Sequence, residues 1–417
     1  MLFRFEYIER RGSRGEVQIE ATLTDARMML TPFEWEKAPG KPATARARVA
    51  IVNGKAVSLP EFVVSAGDPQ AGGLSATGAM TLAADGKTIA RADLASLQLG
   101  LTDVKGSFVR QGETLVFAGT GPTFDIGPFQ RDKSPREPDR PGLELHIDVE
   151  KLYFDSDRLL YAVRFDGRRG ADRWETADLA ARTGPEMTLN NQVSLLLQSD
   201  AGHQTLIARV EDAGAFLRAV DITPNVVGGR IEMNGLTDSA KPGRPIVGKL
   251  RMSEFRSVRA SILARVLSVA LLTGVLDSLT GEGIRFSGLE MDFAYADPRL
   301  DITEAKATGP SLGVTARGTL NLDAEIIDLD GTIVPANAIN SLPGRIPIIG
   351  DLLTGRGGGV FAATYKVSGP MAEPRVTVNP LSALAPGFLR NLFGVFSLPG
   401  TSPTGSTPPS ELEGRQN

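Results

Sequence analysis

The chain has 417 residues, 41% of them hydrophobic, which is long and apolar enough to bury a core and excludes wholesale disorder. A formal net charge of −4 offers no basic footprint for nucleic acid. The absence of cysteine removes disulfides, thiolate nucleophiles and thiolate metal sites together, while 46 glycines and 27 prolines suit many short strands joined by tight turns.

The first residues, MLFRFEYIERRGSRGEVQIEA, already read as strand and carry no basic segment followed by an apolar one, so no export signal or anchor is expected here. The abrupt start suggests a C-terminal piece of a longer protein. Residues 1–130 form a β-rich, repeat-like region. Leu74, Ala76, Gly78, Met80 and Leu82 alternate with small polar residues, and Leu97, Leu99 and Leu101 resume the period of two after the turn at Asp85-Gly86. Asn53-Gly54 is a strong hairpin signal.

The charged, proline-rich stretch RDKSPREPDRPG, 131–142, reads as an exposed loop or boundary. Residues 143–255 are again β-rich. Leu143, Leu145, Ile147 and Val149 point one way, Glu144, His146, Asp148 and Glu150 the other. A hairpin is expected from Val193 to Val210, and Asp212 is placed to cap a short helix over AGAFLRAV.

Residues 256–280 are the longest apolar run, RSVRASILARVLSVALLTGVLDSL and the following Thr280. Wound as a helix, they are apolar on most sides, with Ser261, Arg265 and Ser268 as one polar stripe. Such a helix belongs inside a packed structure. The alternatives are a helix in a lipid-accessible groove, or a span, against which Arg265 near the middle weighs roughly 2.5–3.5 kcal/mol.

Residues 281–380 contain the clearest strands. Leu289, Met291, Phe293 and Tyr295 share a face, as do Leu320 and Leu322 and, after a phase slip at Asp323-Ala324-Glu325, Ile327, Leu329 and Ile333. In the segment 381–396, Phe388, Leu389, Leu392, Phe393 and Phe396 make an apolar stripe suited to a membrane surface or a partner. Residues 397–417 read as a disordered tail. The pattern of strand, turn and one-faced strand recurs over roughly 25–35 residues without a literal repeat.

No catalytic residue, metal site or cofactor site is expected. His146 and His203 read as surface histidines, and Asp85-Gly86-Lys87-Thr88 lacks the strand-to-helix context of a phosphate loop. Asp323, Glu325, Asp328 and Asp330 alternate with apolar residues, as a solvated strand face would.

The segments ATGPSLGVTARGTLNLDAEIIDLDGTIVPA (307–336) and NSLPGRIPIIGDLLTGRGGGVFAATYKVSGPMAEPRVTVNPLSALAPGFLRNLF (340–393), with Gly281-Glu282-Gly283-Ile284, resemble the AsmA-like C-terminal region. That region occurs in Gram-negative envelope proteins related to AsmA, TamB and YhdP, and the YhdP-type branch in particular is similar. The resemblance covers about 200–393, where DAGAFLRAV and GGRIEMNG also fit, and is only compositional over 1–180.

The resemblance implies a periplasmic, inner-membrane-associated protein that binds or conducts phospholipid in a β-groove between the two membranes, although this chain lacks the family's anchor and much of its length. Phospholipid or acyl chains, a membrane surface and other envelope proteins are the implied partners. The expected fold is mainly β: an elongated, curled antiparallel sheet forming a half-pipe, with one long apolar helix and short amphipathic helices. Leu289, Met291, Phe293, Tyr295, Leu320, Leu322, Ile327, Leu329 and Ile333 are the candidates for the groove lining. The alternative is a non-enzymatic structural or assembly factor of the same fold with a filled interior.

Overall fold

The computed structural model describes residues 2–10, 14–30, 33–128, 141–170, 173–200, 203–238, 243–259, 261–269, 282–296, 298–335 and 363–379. Among them, 21 strands form one curled, open sheet. Strand pairing follows chain order. β1 (Leu2–Arg10) pairs with β2 (Arg14–Thr22), and β2 pairs with β5 (Thr44–Val52) across a small separate hairpin of β3 (Met28–Leu30) and β4 (Trp35–Lys37).

The meander continues through β6 (Lys55–Ala66), β7 (Leu74–Leu82), β8 (Ile89–Leu99), β9 (Thr102–Gln111) and β10 (Thr114–Asp125). Asn53 and Gly54 turn β5 into β6 with φ of +52° and +75°, the left-handed pair that a two-residue hairpin needs. Asp85 fixes the β7–β8 turn by accepting hydrogen bonds from the amides of Lys87 and Thr88 and from the Thr88 hydroxyl. The hydroxyl bond, followed by the two amides, holds its carboxyl down at about 2.

β10 then pairs in parallel with β11 (Gly142–Tyr153), so the ladder runs unbroken past the boundary expected at 131–142, most of which lies outside the described residues. Antiparallel pairing resumes with β12 (Leu159–Arg169), β13 (Trp174–Arg182), β14 (Gln192–Asp200), β15 (His203–Val210), β16 (Val226–Thr237) and β17 (Ile246–Ser257). It ends with β18 (Ile284–Ala296), β19 (Arg299–Thr308), β20 (Leu312–Asn321), β21 (Ile326–Pro335), β22 (Ala363–Pro370) and β23 (Arg375–Asn379).

The two described α-helices are short. α1 (Ala213–Ala219) joins β15 to β16, with the Asp212 carboxylate accepting from the Ala215 amide at 2.9 Å, as its sequence signals. α2 (Ser261–Val269) lies between β17 and β18. The long helix expected over 256–280 is therefore corrected. Arg256 and Ser257 are still strand, opposite Arg285 and Ile284, because their backbone groups complete the β17–β18 ladder. Arg259 then turns the chain at φ +51° before helix begins. Residues 270–281, like the segments 381–396 and 397–417, lie outside the described residues. Among the described residues no helix is long and apolar enough to cross a membrane.

Alternation gives the sheet two unlike faces. Cross-strand ion pairs line one of them: Lys249–Asp292 at 3.1 Å, Arg251–Glu290 at 3.3 Å, Arg317–Asp330 at 2.8 Å and Lys366–Asp328 at 2.9 Å. The opposite face is mostly apolar, with Thr102, Gln204 and Thr237 as buried polar exceptions, and carries the hydrophobic core. At Ala162 and Glu254, with φ of +47° and +50°, the inward set changes parity. The partner strands shift at the same level, so Leu152 still faces Leu160 and Leu289 still faces Met252. Irregularities of this kind increase local twist and help a sheet curl onto its own face.

Candidate functional site: an apolar trough open at one rim

The strands end in two rims of different construction. Antiparallel alternation sends the connections 23–43, 67–73, 154–158, 211–225 and 258–283 to one rim, which carries β3–β4, α1 and α2. Connections at the other rim, such as 53–54, 83–88, 170–173, 322–325 and 371–374, contain no helix or strand among the described residues.

The inserted elements at the first rim lean over the apolar face and tie distant strands together. Phe33, between β3 and β4, meets Phe124 of β10 edge-to-face with centroids 6.4 Å apart. On a flat sheet, β5 and β10 would stand about 24 Å apart. The Trp35 indole donates to the Gly72 carbonyl at 2.9 Å, anchoring the hairpin to the next connection. Lys37 is buried, and its ammonium is held by the carbonyls of Thr24, Ala38 and Lys41 at 2.9–3.1 Å, which close the loop that carries the hairpin.

α1 packs on β16, β17 and β12, and Arg158 just before β12 pairs with Asp221 just after α1. α2 presses Val266 and Leu267 into the core and crosses the apolar face to β23, where the Arg265 guanidinium donates at 3.2 Å to the Pro374 carbonyl, in the 371–374 connection of the opposite rim. β18 and β23 are five strand spacings apart, about 24 Å if flat. A helix of this length is only about 13 Å long, so the sheet must curl to bring β23 to it.

Burial varies across this face. Near the capped rim the inward side chains are dry core: Leu160 and Val163 are 1% exposed, Leu267 and Leu312 0%. Farther along the strands the inward Phe108, Phe117, Leu145, Leu250, Met291 and Leu329 are only half-buried, interspersed with the buried Leu197, Phe293 and Ile327. No second sheet layer is present among the described residues to cover them. The result is an apolar trough that is closed at the capped rim and only partly covered farther along the strands.

The sequence-derived lining residues fall into adjacent rows of this face. Leu289 is in register with Ile333 through Ala307 and Val314, and Phe293 with Leu329 through Ile302 and Gly318. Tyr295 is in register with Ile327 through Leu300 and Leu320, and Met291 lies in the row between those of Leu289 and Phe293. Leu289, Met291, Tyr295, Leu320 and Leu329 are half-buried, whereas Phe293, Ile327 and Ile333 are buried at 4%, 8% and 0%. Leu322 does not belong to the face, since it lies past the end of β20 in a turn and is 46% exposed. Phe388, Leu389, Leu392, Phe393 and Phe396 lie outside the described residues.

Two glycines shape the floor. A Cβ on Gly248 would stand 2.8 Å from the Phe293 ring and 2.3 Å from the Asn234 carbonyl, so only glycine lets that ring lie flat. Gly331 sits beneath Tyr365, whose hydroxyl donates to the Thr315 carbonyl at 2.8 Å. Burial pushes the Tyr365 phenol upward, which keeps it a donor.

The polar clusters show no assembled reaction centre among the described residues. A cavity of about 630 Å³ on the charged side of β19–β23 is lined by Thr315, Thr332, Thr364 and the Arg317–Asp330 pair. No group of acidic or histidine side chains there is arranged to hold a metal ion. The feature missed by sequence reasoning is His146, held between Asp166 (Nδ1 to Oδ1, 2.6 Å) and Glu144 (Nε2 to Oε1, 2.9 Å). Glu144 two residues away was legible, but the cross-strand register that supplies Asp166 was not.

No known family model, curated protein or solved structure matches the chain.

Proposed function

We infer that the chain is part of a non-enzymatic, lipid-binding β-groove of the Gram-negative envelope, with acyl chains lying along the apolar face and phospholipid as the cargo. The observation that carries this reading is the set of half-buried apolar side chains, among them Phe117, Leu250, Met291 and Leu329, on a face with no covering second sheet among the described residues. Extended exposed apolar surface marks a binding site. Each methylene moved out of water contributes about 0.8 kcal/mol, so one lipid tail supplies on the order of 10 kcal/mol without any residue-specific contact. The resemblance of residues 200–393 to the AsmA-like region points to the same cargo and to the periplasm.

The dry core under the caps favours a second reading, a structural or assembly factor whose interior is filled by its own side chains. Native mass spectrometry with lipid extraction, on the full chain purified from a Gram-negative host in mild detergent, separates the two. Lipid that co-purifies and is lost in Met291→Asp and Leu329→Asp, with the fold intact by circular dichroism, supports the groove. A folded protein free of lipid would move the conclusion to the structural reading.

A further inference from the structure

The capped rim carries apolar side chains that face outward as well as inward. Among the described residues from β2 onward, the most exposed large apolar side chains are Met187 at 84%, Leu189 at 76%, Ile222 at 65% and Met29 at 61%. All four stand at this rim. Met29 lies on the β3–β4 hairpin, and Ile222 in the connection that carries α1. Met187 and Leu189 lie in the 183–191 connection, one antiparallel pair on from 154–158 and so at the same rim.

Three of the four are brought together and held out. Asp221, just before Ile222, pairs with Arg158 at the start of β12, and α1 packs on β12 and β16. The connection 211–225 therefore spans the ends of β13 and β14, where Met187 and Leu189 lie. Hydrogen bonds brace both tips. The Arg182 guanidinium donates to the Thr188 carbonyl at 2.7 Å and to the Asn191 side-chain oxygen at 3.0 Å, and the Asn191 amide group donates to the Glu186 carbonyl at 2.6 Å. The Ile222 amide donates to the Leu217 carbonyl at 2.9 Å. Polar side chains are thus turned inward to hold loops whose apolar ones face water. A braced loop loses little conformational freedom on binding.

The arrangement decides the partner. Three side chains on two tips, interrupted by the exposed Glu186, Thr188 and Asn190, fall well short of the roughly 800 Å² per partner that a stable protein interface buries. A lipid surface needs no matching shape and takes apolar groups to a depth of about 5–10 Å. Nearby charges set its type. Glu186 and Arg218 are of opposite sign, and Arg158 is taken by Asp155 and Asp221, so nothing draws these tips to anionic headgroups. We propose that the tips 183–191 and 211–225 dock this chain on a zwitterionic lipid surface by inserting Met187, Leu189 and Ile222. The docking uses none of the trough's side chains and does not depend on what fills it.

The test is flotation of the full chain with phosphatidylcholine vesicles at about 1 mM lipid, enough to reveal binding as weak as that of one myristoyl chain. Wild type should float, and raising NaCl from about 0.1 to 0.5 M should change the bound fraction less than about twofold, since apolar insertion is not screened. Met187→Asp combined with Leu189→Asp should weaken partition at least about tenfold, and Ile222→Asp about threefold, with circular dichroism unchanged because all three are exposed. The chain has no cysteine, so Leu189→Cys offers one site for an environment-sensitive dye. Its emission should shift blue on vesicles, and the same dye on Gln198→Cys, exposed on the other face of β14, should not. Met291→Asp and Leu329→Asp should leave flotation unchanged. A wild type that does not float overturns the proposal, as does a dye at position 189 that stays silent. Flotation lost in the two trough variants and kept in the tip variants overturns it too, because lipid uptake by the trough would then account for the binding. So does a dimer in sedimentation velocity that Met187→Asp abolishes, which would assign the tips to a second copy.

Discussion

The two rims of the sheet are made by the same strands and end in opposite ways. At one, β3–β4, α1 and α2 fold over the apolar face, and the side chains beneath them are almost fully buried. At the other, short turns leave parts of the same face half-buried, although α2 reaches across to Pro374 there. A sheet with an apolar face must cover it, and this one covers it along only part of each strand. On the proposed reading, stability and binding are divided along the strand direction: the capped end holds the curl, and the less covered part of the face offers the surface.

The largest expected effect is a truncation that tests this division. Leu160, 1% exposed at the capped end, should cost about 3 kcal/mol as Leu160→Ala, from lost burial plus the cavity left behind. Leu329, half-buried toward the open end, should cost about 1 kcal/mol or less as Leu329→Ala. Urea unfolding followed by circular dichroism compares them, and equal costs would dissolve the distinction between the rims.

A smaller effect should come from the hairpin cap. Lys37→Met keeps the stem but leaves three carbonyls without their donor, at a cost of about 2 kcal/mol. The loss should appear first in the cap. The chain has two tryptophans, and Trp35 reports on the hairpin through its bond to Gly72. Its emission should shift red at lower urea than the sheet signal changes. Coincident transitions in the variant would mean that the cap and the sheet do not separate.

Much of the fold was legible because its signals are local. Alternation marked the strands, Asn53-Gly54 and Asp85 their turns, and Asp212 the start of α1. The inward set Leu289, Met291, Phe293 and Tyr295 could be read because a period of two fixes a face. The sequence does not, however, say how deep each of these lies. Phe293 is buried because Gly248 lies on the neighbouring strand, and that pairing is long-range. The apolar run after Arg256 misled for a related reason. Its first two residues are taken by the β17–β18 ladder, an interaction that helical periodicity cannot register. The asymmetry of the rims was invisible as well, because it follows from counting strand directions through the one parallel junction, β10–β11.

The smallest expected effect concerns the charged face, where the rims make no difference. His146 has a carboxylate at each ring nitrogen, so only the imidazolium donates to both Asp166 and Glu144. The Asp166 bond, then the Glu144 bond, raise its pKa above the ordinary 6.5. A raised folded-state value means that the stabilisation is fully present below the unfolded pKa and is lost as pH rises through the folded one. Because His146 is partly exposed, added salt should also weaken the effect. Amide exchange across β11 and β12 should therefore quicken as pH rises above about 6.5, beyond the intrinsic increase, in wild type but not in His146→Asn. The Trp35 cap should show no such excess. An excess at both places would mean that the charged face and the caps are coupled, and that the capped end does not hold the curl alone.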